Sequence, residues 1–317
     1  MNKAEKRGRY VKHPLRKVGR EEWLELRREG IGGSDAAIIA GLNRFGSEVE
    51  LWADKKGLAP EKEATEAMKI GVELEDYVAR RWMEETGKRC VRRQAIFGNR
   101  NYPWALGNID REVVRENAGL ECKTTNPFSD YDFEGGEVPP WYYAQCVHYM
   151  AVCGFDKMYL AVLVLGKGFF HYEIKRDEEE IAVLMEEEKR WWEAYIEGDK
   201  MPEPDGSDGA GKLIGKMFEG NEGAEVFLAW CDGDLKEYQR LGEEIKGLKK
   251  EQEAAKQRVQ LRMGDAVKGE SQKFRVSWAV QESARVDAKK LKEQYPTVFA
   301  DCAKVSRSRV FRVKEIG

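Results

Sequence analysis

No apolar run in the 317 residues approaches the ~18 that a membrane span needs. The N-terminus, MNKAEKRGRYVKHPLRKVGR, also lacks the apolar core of a secretory signal. A cytoplasmic protein with no membrane partner is therefore expected. Cysteine is sparse: Cys90, Cys122, Cys146, Cys153, Cys231 and Cys302 are scattered, with no C-x-x-C pair and only 3 histidines in the chain. That pattern supports neither a zinc knuckle nor a disulfide framework, and the six read as ordinary reduced thiols. An excess of one charge is lacking too, because 54 Lys+Arg stand against 57 Asp+Glu for a formal net charge of −3. General coating of nucleic acid by bulk positive charge is excluded.

What is present is 42% hydrophobic and 35% charged residue content, a soluble globular composition. At roughly 150 residues per domain, the length allows one large domain or one domain with an appendage. Charge is unevenly spread. Residues 1–20 carry Lys3, Lys6, Arg7, Arg9, Lys12, Arg16, Lys17 and Arg20 against Glu5 alone, whereas Asp177 to Asp199 is rich in Glu. The basic arm reads either as a solvated, partly disordered terminus or as a DNA contact.

Residues 21–58 read as helical and punctuated by glycine, with GIGGSDAAIIAGL opening a helix for which Ser34 or Asp35 is the expected N-cap. Glu66 to Glu85 is expected as a helix. Strands are expected over Cys90 to Phe97, Ala105 to Val114, Leu120 to Thr124, Met158 to Val164 and Gly168 to Ile174, with a buried helix at Trp141 to Cys153. This order predicts a mixed α/β core over residues 21–203. PEPDGSDGAGK then opens a linker region, 204–233. Residues 234–317 form a C-terminal module. There Leu235, Tyr238, Leu241, Ile245, Leu248, Ala255 and Val259 follow a heptad-like register, the mark of a helical arm packing on another helix. Phe274, Val276, Trp278 and Val280 alternate, as do parts of Ser308 to Lys314, so these two strands are expected to pair and flank a helix begun by Asp287. The basic end, Lys304, Arg307, Arg309, Arg312 and Lys314, reads equally as a DNA-backbone contact or as a charged strand edge.

Chemistry concentrates in Gly107 to Lys123, GNIDREVVRENAGLECK. Asp110 is expected at the end of one strand and Glu121-Cys122-Lys123 on the next. Residues two apart on a strand share a face, so Glu121 and Lys123 point together while Cys122 offers its carbonyl. Two carboxylates and a main-chain carbonyl make an all-oxygen site suited to Mg²⁺ or Mn²⁺. Lys123 would orient or deprotonate a water, or stabilise charge on a scissile phosphate. Glu75, on the preceding helix, could hold a second metal directly or through water. Gln145, an amide on an otherwise apolar helix, needs a partner.

Together, Gly71-x-x-Leu74-Glu75, Asp110, Glu121-x-Lys123 and Tyr142-Tyr143-Ala144-Gln145 resemble the YqaJ-type viral recombinase family. These are the lambda exonuclease relatives among the PD-(D/E)XK nucleases, and the resemblance covers about Trp23 to Pro202. It implies a restriction-endonuclease-like core, a central mixed β-sheet flanked by helices, carrying here a C-terminal helical arm with a β-hairpin. It implies a Mg²⁺-dependent 5′→3′ exonuclease, using two ions, that acts on linear double-stranded DNA ends and leaves 3′ single-stranded tails for recombination. Its catalytic residues would be Glu75, Asp110, Glu121, Lys123 and Gln145. The W-x-x-x-R arginine falls on Arg27 and the turn serine on Ser34, which in relatives grip the terminal 5′-phosphate, with Arg28 an adjacent candidate. One departure is Glu66, where lambda exonuclease has a phosphate-binding lysine nine residues before the helix glutamate. A ring-shaped homo-oligomer, with a trimer favoured, and a single-strand annealing partner are implied as well. Three alternatives remain: an endonuclease with the same metal centre, a Cas4-like iron–sulfur enzyme, disfavoured by the dispersed cysteines, and a catalytically silent DNA-binding scaffold.

Overall fold

Strict alternation of side chains along two neighbouring strands sets the architecture of this protein, as seen in a computed structural model. It describes all residues except 1–2, 44–45, 60–64, 127–130, 134, 219, 221–222, 305–308 and 316–317. The chain divides into Met1–Met217 and Phe218–Gly317.

The first unit begins with α1 (Lys3–Lys6), β1 (Arg9–Pro14), α2 (Arg20–Arg28), α3 (Gly33–Ile39), α4 (Glu48–Lys55) and α5 (Glu66–Thr86). Then come β2 (Cys90–Val91), β3 (Ala95–Asn99), β4 (Tyr102–Gly107), β5 (Arg111–Val113) and β6 (Ala118–Thr125). It closes with α6 (Pro140–Cys153), β7 (Lys157–Val164), β8 (Gly168–Lys175), α7 (Glu178–Trp191), a π-helical turn at Trp192–Glu197 and α8 (Asp208–Met217).

A five-stranded mixed sheet runs in the order β2-β5-β6-β7-β8, with β6 and β7 parallel and the other pairs antiparallel. The parallel pair needs a crossover, which α6 supplies. In β7, KMYLAVLV, the apolar run is continuous because both faces are covered. Tyr159 and Ala161 join Leu120, Val78 and Trp82 beneath α5, while Leu160 and Val162 join Val147 and Met150 of α6. With Leu120 opposite Tyr159 and Glu121 opposite Leu160, the register turns Leu120 into one apolar layer and Glu121 toward α6. The α/β core expected from the sequence, a central mixed sheet flanked by helices, is the one observed.

Several local expectations are corrected. The span expected as one strand, Ala105 to Val114, breaks into β4 and β5, which belong to different sheets. Asp110 lies in the break. The basic arm includes a strand: β1 pairs with β3, and its neighbourhood is paired by charge, Arg7 with Asp156 at 2.7 Å, Arg9 with Glu112 at 3.4 Å and Lys12 with Glu29 at 3.2 Å. Within the stretch expected as linker, α8 buries Ala210 and Leu213 in a cluster with Trp52 and Trp191, so a Gly-rich composition here still pays for a helix by packing.

In the second unit, α9 (Asp232–Met263) precedes β9 (Lys268–Glu270), β10 (Arg275–Ser277), α10 (Ala288–Gln294) and α11 (Pro296–Cys302). Asp287 caps α10, accepting the Lys290 N–H at 3.0 Å. The expected pairing of 274–280 with 308–314 is replaced by a local hairpin, β10 with β9. Ser271 and Phe274 close its turn, with Ser271 N–H donating to the Phe274 carbonyl at 2.8 Å. Closing so short a loop costs less entropy than the distant pairing. Arg307 and Ser308 lie outside the described residues.

At the β5–β6 turn, the Lys88 ammonium holds the Glu116 carboxyl down to about 2, helped by Tyr159 and Lys157 against the opposing effect of burial. A depressed carboxyl contributes stability above its unfolded value of about 4.5 and loses it as pH falls toward 2. Glu116→Gln is therefore expected to lower the melting temperature at neutral pH and to flatten its decline between pH 4.5 and 2. Thermal unfolding followed by circular dichroism across that range checks this.

Candidate active site

Burial and alternation bring four of the sequence-selected side chains together. Asp110, held at the β4–β5 break, accepts the Cys122 backbone N–H through Oδ2 at 2.8 Å. Glu121 is buried, and its Oε1 receives both Gln145 Nε2 and Lys123 Nζ at 2.7 Å. The other oxygen, Oε2, is buried with no hydrogen-bond partner. Desolvating a carboxylate oxygen without a partner is costly, and a cation is the species that offsets it.

Electrostatics agree with an anionic centre. Burial, then the charges of Glu121 and Glu75, push the Asp110 carboxyl well above the usual carboxylate range, while Lys123 and the Cys122 N–H pull it back. Burial alone would favour a neutral Lys123 amine, but Glu121 and Asp110 hold it protonated, above the ordinary lysine value. Lys123 also stands 5.3 Å from the Tyr142 ring centroid. Asp110 and Glu121 line one cleft, and Glu121 Oε2 has lone pairs that no hydrogen bond uses, a donor set that fits a hard divalent cation, with the Cys122 carbonyl on the same strand. Glu75 acts on Asp110 through its charge but does not line the same cleft. Its Oε1 is taken by Arg111 and, at 2.9 Å, by Arg92. Among the described residues no three His, Cys, Asp or Glu side chains converge as a complete metal cage.

The glycine-rich turn forms the second part of the site. Ile31 bridges to Ala105, its N–H donating to the Trp104 carbonyl at 2.8 Å, which ties the turn to β4. Gly32, rather than Ser34 or Asp35, is the N-cap of α3, and Asp35 accepts the Gly32 N–H at 2.8 Å. A Cβ on Gly33 would lie 2.7 Å from the Tyr149 ring and 2.9 Å from Gln145 Cγ, so only glycine lets α3 approach α6 here. Arg27 lies over the Trp23 ring at 4.9 Å and donates from Nη2 to Ser34 Oγ at 3.2 Å. Arg28 turns elsewhere, its Nε 4.0 Å from Asp54 of α4.

One cleft of about 220 Å³ is lined by Arg27 and Ser34 together with Asp110, Glu121, Lys123 and Gln145. Trp23, Asn108 and Tyr149 also line it, whereas Arg28 and Glu75 do not.

Residues 22–156 match the model of the YqaJ-like viral recombinase domain. The chain is 36% identical over 305 residues to the uncharacterized protein YqaJ of Bacillus subtilis (strain 168), covering 94% of this chain and 95% of that one. The protein belongs to the YqaJ family. Among solved structures, it is similar to the alkaline exonuclease LHK-Exo from Laribacter hongkongensis, at 21% identity and TM-score 0.47 over 62% of this chain and 97% of that chain. The LHK-Exo complex with dAMP gives 22% identity and TM-score 0.48, covering 56% of this chain and 93% of that one.

Three further residues of this YqaJ-family site escaped sequence reasoning. Tyr149, one helical turn after Gln145, receives Gln145 Nε2 at 3.2 Å and donates to the Asn108 carbonyl at 2.9 Å. The i,i+4 spacing was its available signal. Asp35, considered only as a cap, is a buried anion whose position three residues after Gly32 is that of a capping acid. Lys55 had no signal: its buried Nζ donates to Asp35 Oδ2 at 2.6 Å and to the Arg27 carbonyl at 3.0 Å. Burial would raise the Asp35 carboxyl, but Lys55 and Arg27 outweigh it and hold it below the ordinary value. Lys55→Met removes the cation closest to that anion, leaving Arg27 at 3.9 Å and the Gly32 N–H, and is expected to cost about 3 kcal/mol. Urea denaturation, with Lys55→Arg as the conservative comparison, checks this.

Proposed function

We propose that this YqaJ-family protein is a divalent-metal-dependent exonuclease that degrades linear double-stranded DNA from its 5′ ends, leaving 3′ single-stranded tails for strand-annealing recombination. The observation that carries this reading is the single cleft shared by the Asp110–Glu121–Lys123–Gln145 cluster and the Arg27–Ser34 pair. That shared lining supports reading the one group as a hydrolytic centre and the other as an end-grip.

Asp110 and Glu121 would hold the metal with the Cys122 carbonyl, and Glu75 would act through water or on a second ion. Mg²⁺ is the expected cation and Mn²⁺ its substitute. A divalent ion there supplies Lewis acidity toward the phosphoryl group. Lys123, which donates to Glu121 Oε1 at 2.7 Å and lines the cleft, would orient the attacking water or stabilise negative charge developing on the phosphate. Gln145 fixes the orientation of Glu121 through Oε1, which leaves Oε2 for the cation. Arg27, braced by Trp23, and the Ser34 hydroxyl would together grip a terminal 5′-phosphate. Glu66 at the start of α5 pairs with Lys69 at 3.4 Å and offers that phosphate no cation of its own.

Linear duplex labelled separately at each end is the test, with 5′-phosphate and 5′-hydroxyl termini compared and closed circles as control. The 5′ label is expected to be lost first, phosphorylated ends to be favoured and circles to be spared. Cut circles would show an endonuclease, and no cleavage of any substrate would show a scaffold. Lys123→Ala is expected to reduce cleavage by about 10²-fold or more while DNA binding persists. Near-parental turnover would remove the hydrolytic role from this hairpin. Arg27→Ala is expected chiefly to erase the preference for phosphorylated ends, and an equal loss on both kinds of end would show that Arg27 is not the grip.

A further inference from the structure

Helix α9 spans 32 residues, Asp232 to Met263, and buries none of its side chains. Helices in water are held mainly by packing one apolar face, and Gly242 and Gly247 each weaken this one by about 1 kcal/mol relative to alanine. A partner for its apolar face is therefore needed. Tyr238, Leu241, Ile245, Leu248, Ala255 and Val259 occupy alternating a and d positions of a heptad repeat, with Gln252 the polar member of the series. Phe311 packs edge-on against Tyr238, ring centroids 5.3 Å apart, yet Tyr238 stays 55% exposed. Leu241, Ile245, Leu248 and Val259 remain 42%, 51%, 58% and 43% exposed.

The flanking charges identify what covers the stripe. With Tyr238 at a, the g positions hold Glu237, Glu244, Glu251 and, at the C-terminal end, Arg258, and the e positions hold Gly242, Lys249, Lys256 and Met263. In a parallel pair of helices each g side chain meets the e side chain five residues further along the other helix. Glu244 then faces Lys249 of a second copy, and Glu251 faces its Lys256. Antiparallel pairing would set g against g and e against e, acid on acid and lysine on lysine, which is disfavoured. Ile245 and Val259 at a, with Leu241 and Leu248 at d, favour two strands. Contacts along the helix itself, Arg240 with Glu237 and Glu244 at 2.8 Å and Lys256 with Glu253 at 2.7 Å, run over its exposed surface and leave the stripe open.

We propose that α9 joins two copies of this chain as a parallel, in-register, two-stranded coiled coil. The test uses the full chain and measures mass by light scattering during gel filtration. Glu244→Lys/Glu251→Lys is expected to weaken self-association at least about tenfold, since four attractive contacts per dimer become repulsive. Lys249→Glu/Lys256→Glu is expected to do the same. An equal mixture of the two variants is expected to associate as the parent does, because opposite charges face each other again. Under mild oxidation Leu241→Cys is expected to link to its own copy, giving a covalent band the parent lacks, because parallel d positions lie side by side. These positions are exposed, and far-UV circular dichroism verifies folding. A parent mass of 36.4 kDa, one chain, overturns the proposal. So do equal association of the parent and both charge variants, failure of the mixture to restore association, or absence of the Leu241→Cys link.

Discussion

Among the described residues two carboxylate oxygens, Glu121 Oε2 and Glu188 Oε2, are buried without a hydrogen-bond partner, and of the two residues Glu121 is the one that lines the cleft. Glu121 sits on β6 between β5 and β7, where alternation sends Leu120 into the apolar layer under α5 and Glu121 to the opposite face. Lys123 and Gln145 neutralise and fix one oxygen while Asp110 brings a second carboxylate close. A well-packed core would not keep such a group for stability, since apolar residues of similar volume fold at least as well. Strain of this kind is retained where it serves a site.

A second buried charge braces the other part of the cleft by a different logic. Asp35 is fully paired, by Lys55 and by the Gly32 N–H, and Lys55 also takes the Arg27 carbonyl. The glycine-rich turn is thus locked to α2 and α4, and Arg27 projects from a rigid support onto Ser34. One anion is satisfied internally and shapes the scaffold. The other keeps one oxygen without a hydrogen-bond partner. One small cleft is thus lined both by that partly unsatisfied carboxylate and by the Arg27–Ser34 pair.

Much of this was legible in the sequence, and the reasons are local. Helix α5 and helix α6 follow from periodicity and capping, and GNIDREVVRENAGLECK places Asp110, Glu121 and Lys123 because strand alternation has a fixed period of two. What escaped depended on distant partners. Lys55 acquires its role only when α4 folds against the turn, and Glu75 is drawn to Arg111 and Arg92 by a packing of α5 on the sheet that no spacing reveals. The basic arm reads from sequence as a solvated terminus or a DNA contact, because its partners, Asp156 and Glu112, lie about a hundred residues or more away. The hairpin of the second unit was misassigned because two alternating segments fit equally well, and loop closure favours the nearer one.

The most direct measurement is calorimetric titration of Mg²⁺, and of Mn²⁺ in parallel, into the full chain and into its Glu121→Gln and Asp110→Asn variants. Saturable uptake by the parent, lost in both variants while their folding persists, is the result expected if the unpaired Glu121 oxygen and Asp110 form the cation site. Equal uptake by parent and variants, or no uptake by the parent, would contradict it.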